Sequence, residues 1–172
     1  GGILFIDEAY TLCKDDSDTF GKEAIDALVA DSENHREDLM VIIAGYSGDM
    51  DQLLSRNQGL KSRFANEIIF EDYTVDEMMS IFHGMCQSRG LKLLGQLDDL
   101  VRSVITKQSM APDFGNARGI RNILEKVIEQ RNIRIADMIR NGRQPEEEEY
   151  RNIVREDLLV FGAEPDKEES VE

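Results

Sequence analysis

The feature that most constrains this chain is its opening, Gly1-Gly2-Ile3-Leu4-Phe5-Ile6-Asp7-Glu8, in which four consecutive apolar residues are stopped by two carboxylates. A short apolar run without polar alternation suits a strand buried on both faces of a parallel sheet. Ala24, Ile25, Leu28 and Val29 then recur at helical spacing and predict a helix over about 20–34. Residues 39–44 are a second wholly apolar run, closed by Gly45. Met50, Leu53 and Leu54 predict a short helix, and residues 67–70 a third, shorter strand. Strands alternating with helices predict an α/β unit built on a parallel sheet.

After Tyr73 the pattern changes to helices only. Thr74-Val75-Asp76-Glu77 has the spacing of a capping box. Met78, Ile81, Phe82, Met85 and Cys86 form one stripe on the helix that follows, with Gly90 as its stop. Leu97, Leu100, Val101, Val104 and Ile105 mark a second helix, and Pro112 and Gly115 the break after it. Ile120, Leu124, Val127, Ile128, Ile135 and Met138 mark a long third helix ending near Asn141-Gly142. Residues 144–149 read as a polar acidic linker, 151–161 have room for one short element, and 163–172 are an acidic tail expected to be disordered. The expected organisation is therefore 1–73 α/β, 74–162 helical and 163–172 tail.

Charge narrows the partners. The net charge is −15, from 35 acidic and 20 basic residues. Nucleic-acid binding needs a basic face, so DNA and RNA are not expected, nor is an anionic membrane surface. No apolar run approaches the ~18 residues of a spanning helix. Cys13 and Cys86 make no disulfide framework and no secretory segment is present, so a reducing cytoplasm is the expected compartment. A buried strand at the first residue reads as a piece of a longer protein. His35 and His83 have no Cys or His at ligand spacing, so zinc is not expected. Cys86, Met78, Met79 and Met85 read as packing residues, and Cys13 lacks the partner of a redox motif.

Three segments carry chemistry. A strand delivers Asp7 to the carboxyl edge of its sheet, where open α/β folds bind ligands. A carboxylate there can hold magnesium, usually through water, while the ion bridges nucleotide phosphates. Glu8 is then placed to polarise an attacking water as general base. The same pair could instead cap the next turn. Arg63, in the run from Asn57 to Phe64, could stabilise a transferring phosphoryl group or make a weak surface ion pair. Arg118 and Arg121 are three apart and share a helical face, which suits bidentate phosphate contact or a solvated basic face.

The order of these segments resembles the AAA+ ATPases, and within them the branch that holds the CbbX red-type Rubisco activases and the SpoVK sporulation ATPases. The residues that carry the resemblance are Gly1 through Tyr10, which match that branch's Walker B segment with its Ala-Tyr, and Val41-Ile42-Ile43-Ala44-Gly45-Tyr46, which match its sensor-1 strand. Gly59-Leu60-Lys61-Ser62-Arg63-Phe64 matches its arginine-finger segment, and Asn116-Ala117-Arg118 with Ile120-Arg121-Asn122 its sensor-2 helix. The resemblance implies the back part of an AAA+ α/β core followed by a helical lid. It implies ATP and magnesium as cofactors, a homo-oligomeric ring of the hexameric kind, and a protein substrate remodelled by the closure of lid on core. Asp7 would support magnesium, Glu8 would activate water, and Arg63 would act on ATP held by a neighbouring subunit. Arg118, with Arg121 on the same face, would sense the γ-phosphate. Tyr46, ahead of Ser47, would be the polar group of sensor 1. The loop from Cys13 to Phe20 would lie near the second pore loop.

The chain departs from the family in one respect that matters. It contains no Gly-rich loop ending Gly-Lys-Ser/Thr, and the family's first pore loop would also lie upstream. In the family the strand carrying that phosphate loop lies between the strands matched by 39–44 and 66–70, so unpaired sheet edges are expected here. The helical part, 74–142, is expected to be the more autonomous, and the isolated chain to be a poor ATPase or none. The rival expectation is a non-catalytic interaction or assembly module.

Overall fold

A computed structural model describes residues 1–12 and 18–162. Of the loop expected from Cys13 to Phe20, residues 13–17 lie outside the described residues, as does the acidic tail at 163–172. The chain divides into two compact units, Gly1–Phe70 and Glu71 onward.

The first unit runs β1 (Gly2–Ile6), a 3-10 turn (Ala9–Leu12), α1 (Thr19–Asn34), β2 (Leu39–Ile43), α2 (Ser47–Arg56) and α3 (Gln58–Arg63). β1 and β2 pair in parallel, from Gly2 opposite Leu39 to Ile6 opposite Ile43. Parallel neighbours need a crossover, and α1 supplies it. Its start is fixed by Asp18, whose carboxylate accepts from the Gly21 amide at 2.8 Å. The unit closes over Ala9, Ile25, Leu53 and Leu60, with Ile6, Leu28, Val29 and Ile43 packed around them. α3 is an element that periodicity did not announce. Asn57 accepts from the Leu60 amide at 3.0 Å and starts the turn, and Leu60 anchors it in the core.

Two expectations fail in this unit. The strands are not buried on both faces: Ile3, Phe5, Met40 and Ile42 share the pleat face opposite Ile6 and Ile43 and are exposed. The helices that pack on the sheet cover one side only. The run 67–70 is not a strand, and Ile68, Ile69 and Phe70 are exposed. A strand is defined by a hydrogen-bonded neighbour, and no described segment pairs with this one.

The second unit runs α4 (Val75–Ser88), β3 (Lys92–Leu93), α5 (Asp98–Ser109), α6 (Ala117–Arg140), β4 (Asn152–Ile153) and a closing 3-10 helix (Arg155–Phe161). The capping box forms as its spacing predicts. The Thr74 hydroxyl accepts from the Glu77 amide, and the Glu77 carboxylate accepts from the Thr74 amide at 2.8 Å. That backbone bond, with the Thr74 hydroxyl behind it, holds the Glu77 carboxyl below its ordinary value. Gly90 and Gly142 sit at positive φ where α4 and α6 end. Fifteen buried residues make one core, with Phe82, Val101, Ile105, Ile120, Leu124 and Val127 at its centre. Met78, Met79 and Cys86 are in it, and burial pushes the Cys86 thiol up to about 11.

One further expectation is corrected here. The region is not helices alone, because β3 and β4 form a two-residue parallel pair, Lys92 opposite Asn152 and Leu93 opposite Ile153. The 144–149 stretch, expected as a polar acidic linker, carries hydrogen bonds that its composition did not announce. Glu149 accepts from Arg143 at 2.7 Å and from the Glu146 amide at 2.9 Å, which folds it into turns leading to β4. Beyond β4, Asp157 is fully buried. It accepts from Arg134 through both oxygens, at 2.8 and 3.0 Å, and from the Val154 amide at 2.9 Å. Each charge is satisfied by its partner, which is what makes such burial tolerable.

Candidate functional site

Asp7 and Glu8 leave the carboxyl end of β1, and both side chains are exposed. The turn that holds them is fixed from several sides. The Ala44 amide donates to Ile6 at 2.9 Å, and the Ala9 amide donates back to Ala44 at 3.0 Å, which ties the ends of β1 and β2 together. Between those two bonds the backbone must reverse sharply, and Glu8 takes φ 49. A non-glycine residue at positive φ costs energy and persists only where its surroundings hold it. Here the Thr11 amide and hydroxyl both donate to the Glu8 carbonyl at 2.8 Å, and one Asp7 oxygen accepts from the Glu8 amide at 3.0 Å.

Tyr46 follows β2 and precedes α2, and its ring lies 6.4 Å from that of Tyr10. Tyr10 leans on Gly45: a Cβ there would come within 2.8 Å of the Tyr10 ring and 2.9 Å of the Met50 sulfur. Packed surroundings push the Tyr10 phenol up, and the charges of Glu8, Asp49 and Asp7 push the same way. The carboxyl edge of this unit thus gathers Asp7, Glu8, Tyr10, Tyr46 and Asp49. Tyr10 and Asp49 were not singled out from the sequence; the first was legible only as part of the Ala-Tyr pair.

Arg63 lies elsewhere in the unit. Its guanidinium is 3.7 Å from Glu33, in the last turn of α1. α1 returns the chain from the carboxyl edge of the strands to the amino edge, so Arg63 stands at the far end from Asp7 and Glu8.

Arg118 and Arg121 are exposed on the first turns of α6 in the second unit. The start of that helix is tightly specified. Gly115 has φ 72 and Asn116 φ 53. Asn116 does not cap its own helix. Its amide nitrogen donates to Asp72 at 2.6 Å and its oxygen accepts from the Tyr73 amide at 3.1 Å. Gly119 is jammed against Phe114, where a Cβ would overlap the carbonyl oxygen and come 2.6 Å from the ring. The sequence marked this segment by its arginines, and the roles of Asn116 and Gly119 appear only in three dimensions.

Chemically, two exposed carboxylates at a strand tip offer hard oxygen donors. They suit a magnesium ion that keeps most of its water and takes its other ligands from phosphate. Among the described residues no group of three or more His, Cys, Asp or Glu could hold a metal with protein ligands alone. Among the described residues no helix is long and apolar enough to cross a membrane.

Comparison with known proteins gives the family. Residues 1–72 match the ATPase family associated with various cellular activities (AAA), and residues 74–170 match the AAA lid domain. The chain is 41% identical over 160 residues to a Protein CfxQ homolog of Trieres chinensis, covering 92% of this chain and 54% of that protein. It is 41% identical over 138 residues to Stage V sporulation protein K of Bacillus subtilis, covering 78% and 43%. It is 39% identical over 127 residues to Protein CbbX of Cereibacter sphaeroides, covering 73% and 41%. The chain thus spans about half the length of the curated relatives it matches. With its α/β part followed by a helical lid, this chain belongs to the AAA family of ATPases, as the carboxyl-terminal part of the AAA domain joined to its lid.

Proposed function

We propose that these residues serve an ATPase that couples ATP hydrolysis, in a homo-oligomeric ring, to the remodelling of a protein partner, as the likeness to CbbX and Stage V sporulation protein K suggests. The observation that carries this reading is the acidic pair at the carboxyl end of β1, with Glu8 held at φ 49 and Tyr46 beside it through Tyr10. Asp7 would hold magnesium through water, and the ion when bound neutralises phosphate charge. Glu8 would take the proton of the attacking water. Tyr46 would reach the nucleotide from the end of β2. Arg63, facing away from its own acidic pair, would serve the ATP of a neighbouring subunit. Arg118 and Arg121 would contact phosphate from the lid. The compartment proposed is the cytoplasm, and one relative is described as a chloroplastic activase, so a plastid is the variant of it.

Turnover by the full-length protein is the test. Glu8→Gln should keep ATP bound and lower kcat by about 10²–10⁴-fold, the usual worth of a positioned general base. Unchanged hydrolysis would remove Glu8 from the mechanism. A second reading is a non-catalytic assembly module that uses the lid helices and an acidic surface, in keeping with the net charge of −15. Calorimetry of this chain with ATP and magnesium separates the two, since clear binding defeats the module.

A further inference from the structure

We infer that Asn116 is a positioning residue: it clamps the 72–73 segment to the start of α6, so that Arg118 and Arg121 and the connector into α4 move as one body. The inference rests on the ATPase reading above and goes beyond it, to how the lid passes on what its arginines sense.

Three observations carry it. First, the Asn116 side chain spends both of its polar atoms on residues more than forty positions away in sequence, Asp72 at 2.6 Å and the Tyr73 amide at 3.1 Å. An asparagine ahead of a helix ordinarily accepts from that helix's own amides, and this one does not. Second, its backbone is held at φ 53, a conformation that asparagine adopts at a cost and glycine freely. A glycine follows the same path more cheaply, so the side chain is what the position requires. Third, the clamped segment leads directly into Thr74, which opens the capping box of α4. A shift of the first turn of α6 therefore pulls directly on the start of α4. Arg118 and Arg121 stand two and five residues beyond the clamp, on the same turn-and-a-half of helix.

The chemistry suggests a test by exchange of partners. Asn116→Gly keeps the backbone path and removes both bonds. Asn116→Asp can still accept from the Tyr73 amide but sets a carboxylate against Asp72. Combining Asn116→Asp with Asp72→Asn restores a donor opposite an acceptor with the roles reversed. In this chain, amide exchange at Tyr73 should rise by about tenfold in Asn116→Gly, the worth of one lost hydrogen bond, rise less in Asn116→Asp, where the carboxylate still accepts but is repelled by Asp72, and return in the double variant. The amides of Leu124 and Val127, deep in the same unit, should not change.

In the full-length ATPase, Asn116→Gly should lower kcat by about tenfold with the KM for ATP within about twofold, the size expected of a residue that couples without touching the ligand. The Asp72→Asn/Asn116→Asp pair should regain the lost turnover. The clamp is overturned if Tyr73 exchange is unchanged in Asn116→Gly, if the double variant regains nothing, or if KM rises while kcat holds. Arg118→Ala is the control on the underlying reading: if it leaves turnover and ATP affinity untouched, the lid arginines are not sensors, whereas the Tyr73 exchange and its rescue still judge the clamp alone.

Discussion

The second unit of this chain is the longer, residues 71–162 against 1–70 as described, and the two close very differently. The second buries fifteen residues in one core, drawn from all three of its helices, β4 and the closing 3-10 helix. The first buries four and leaves one whole face of its two-stranded sheet, Ile3, Phe5, Met40 and Ile42, in solvent. The difference teaches where each unit's stability comes from. The lid satisfies its own apolar surface, so its parts depend on one another. The α/β unit spends apolar residues on surfaces that nothing in the described chain covers, and those residues contribute little here.

The strongest test of this contrast is Phe82→Ala. Phe82 is fully buried at the middle of the lid core, and its truncation should cost about 3–5 kcal/mol, read from the urea midpoint of the second unit. A loss of the size seen at surface positions would break the comparison. Asp157→Ala comes next. It leaves Arg134, a largely buried guanidinium, without its partner, and should cost about 3 kcal/mol in the same unfolding measurement. Thr74→Ala removes half of the capping box and should cost about 1 kcal/mol.

Glu77 adds a pH dependence to that cap. Its folded carboxyl is held low, so its stabilisation is present above the unfolded value, near ~4.3, and is lost as pH falls through the folded one. The stability gap between the wild type and Glu77→Gln should therefore close on acidification, and a gap that widens would reverse the sign. The smallest effect belongs to the open sheet face. Met40→Lys and Ile3→Thr should each change the stability of this chain by less than about 0.5 kcal/mol. A much larger loss would mean that the face is covered after all.

The sequence was most legible where local rules and packing agree. The apolar stripe of Met78, Phe82 and Cys86 with Thr74 and Glu77 ahead of it gave α4 nearly to the residue, because helical period and cap chemistry are both local. The β1–β2 pair was equally plain, since both runs are wholly apolar and short. Residues 67–70 look the same by composition and are not a strand, because pairing depends on a neighbour that composition cannot reveal. β3 and β4 escaped for the opposite reason: two residues carry no period at all. Asp157 and Arg134 read as ordinary surface charges until their bidentate contact is seen. Of the candidate residues, Asp7, Glu8, Arg63, Arg118 and Arg121 were legible as types in an order, and Tyr46 less so. The groups that hold them, Thr11, Tyr10 and Asn116, act through distances no spacing encodes.

The crowding of Gly119 against Phe114 has a mechanical consequence. With the first turn of α6 wedged at that point, its two guanidinium groups share a single rigid mount. Any side chain at 119, even one methyl, would tip the mount and swing both charges together. Evolutionary or engineered tuning of one arginine's aim must therefore come from its own rotamers, never from loosening the turn beneath it.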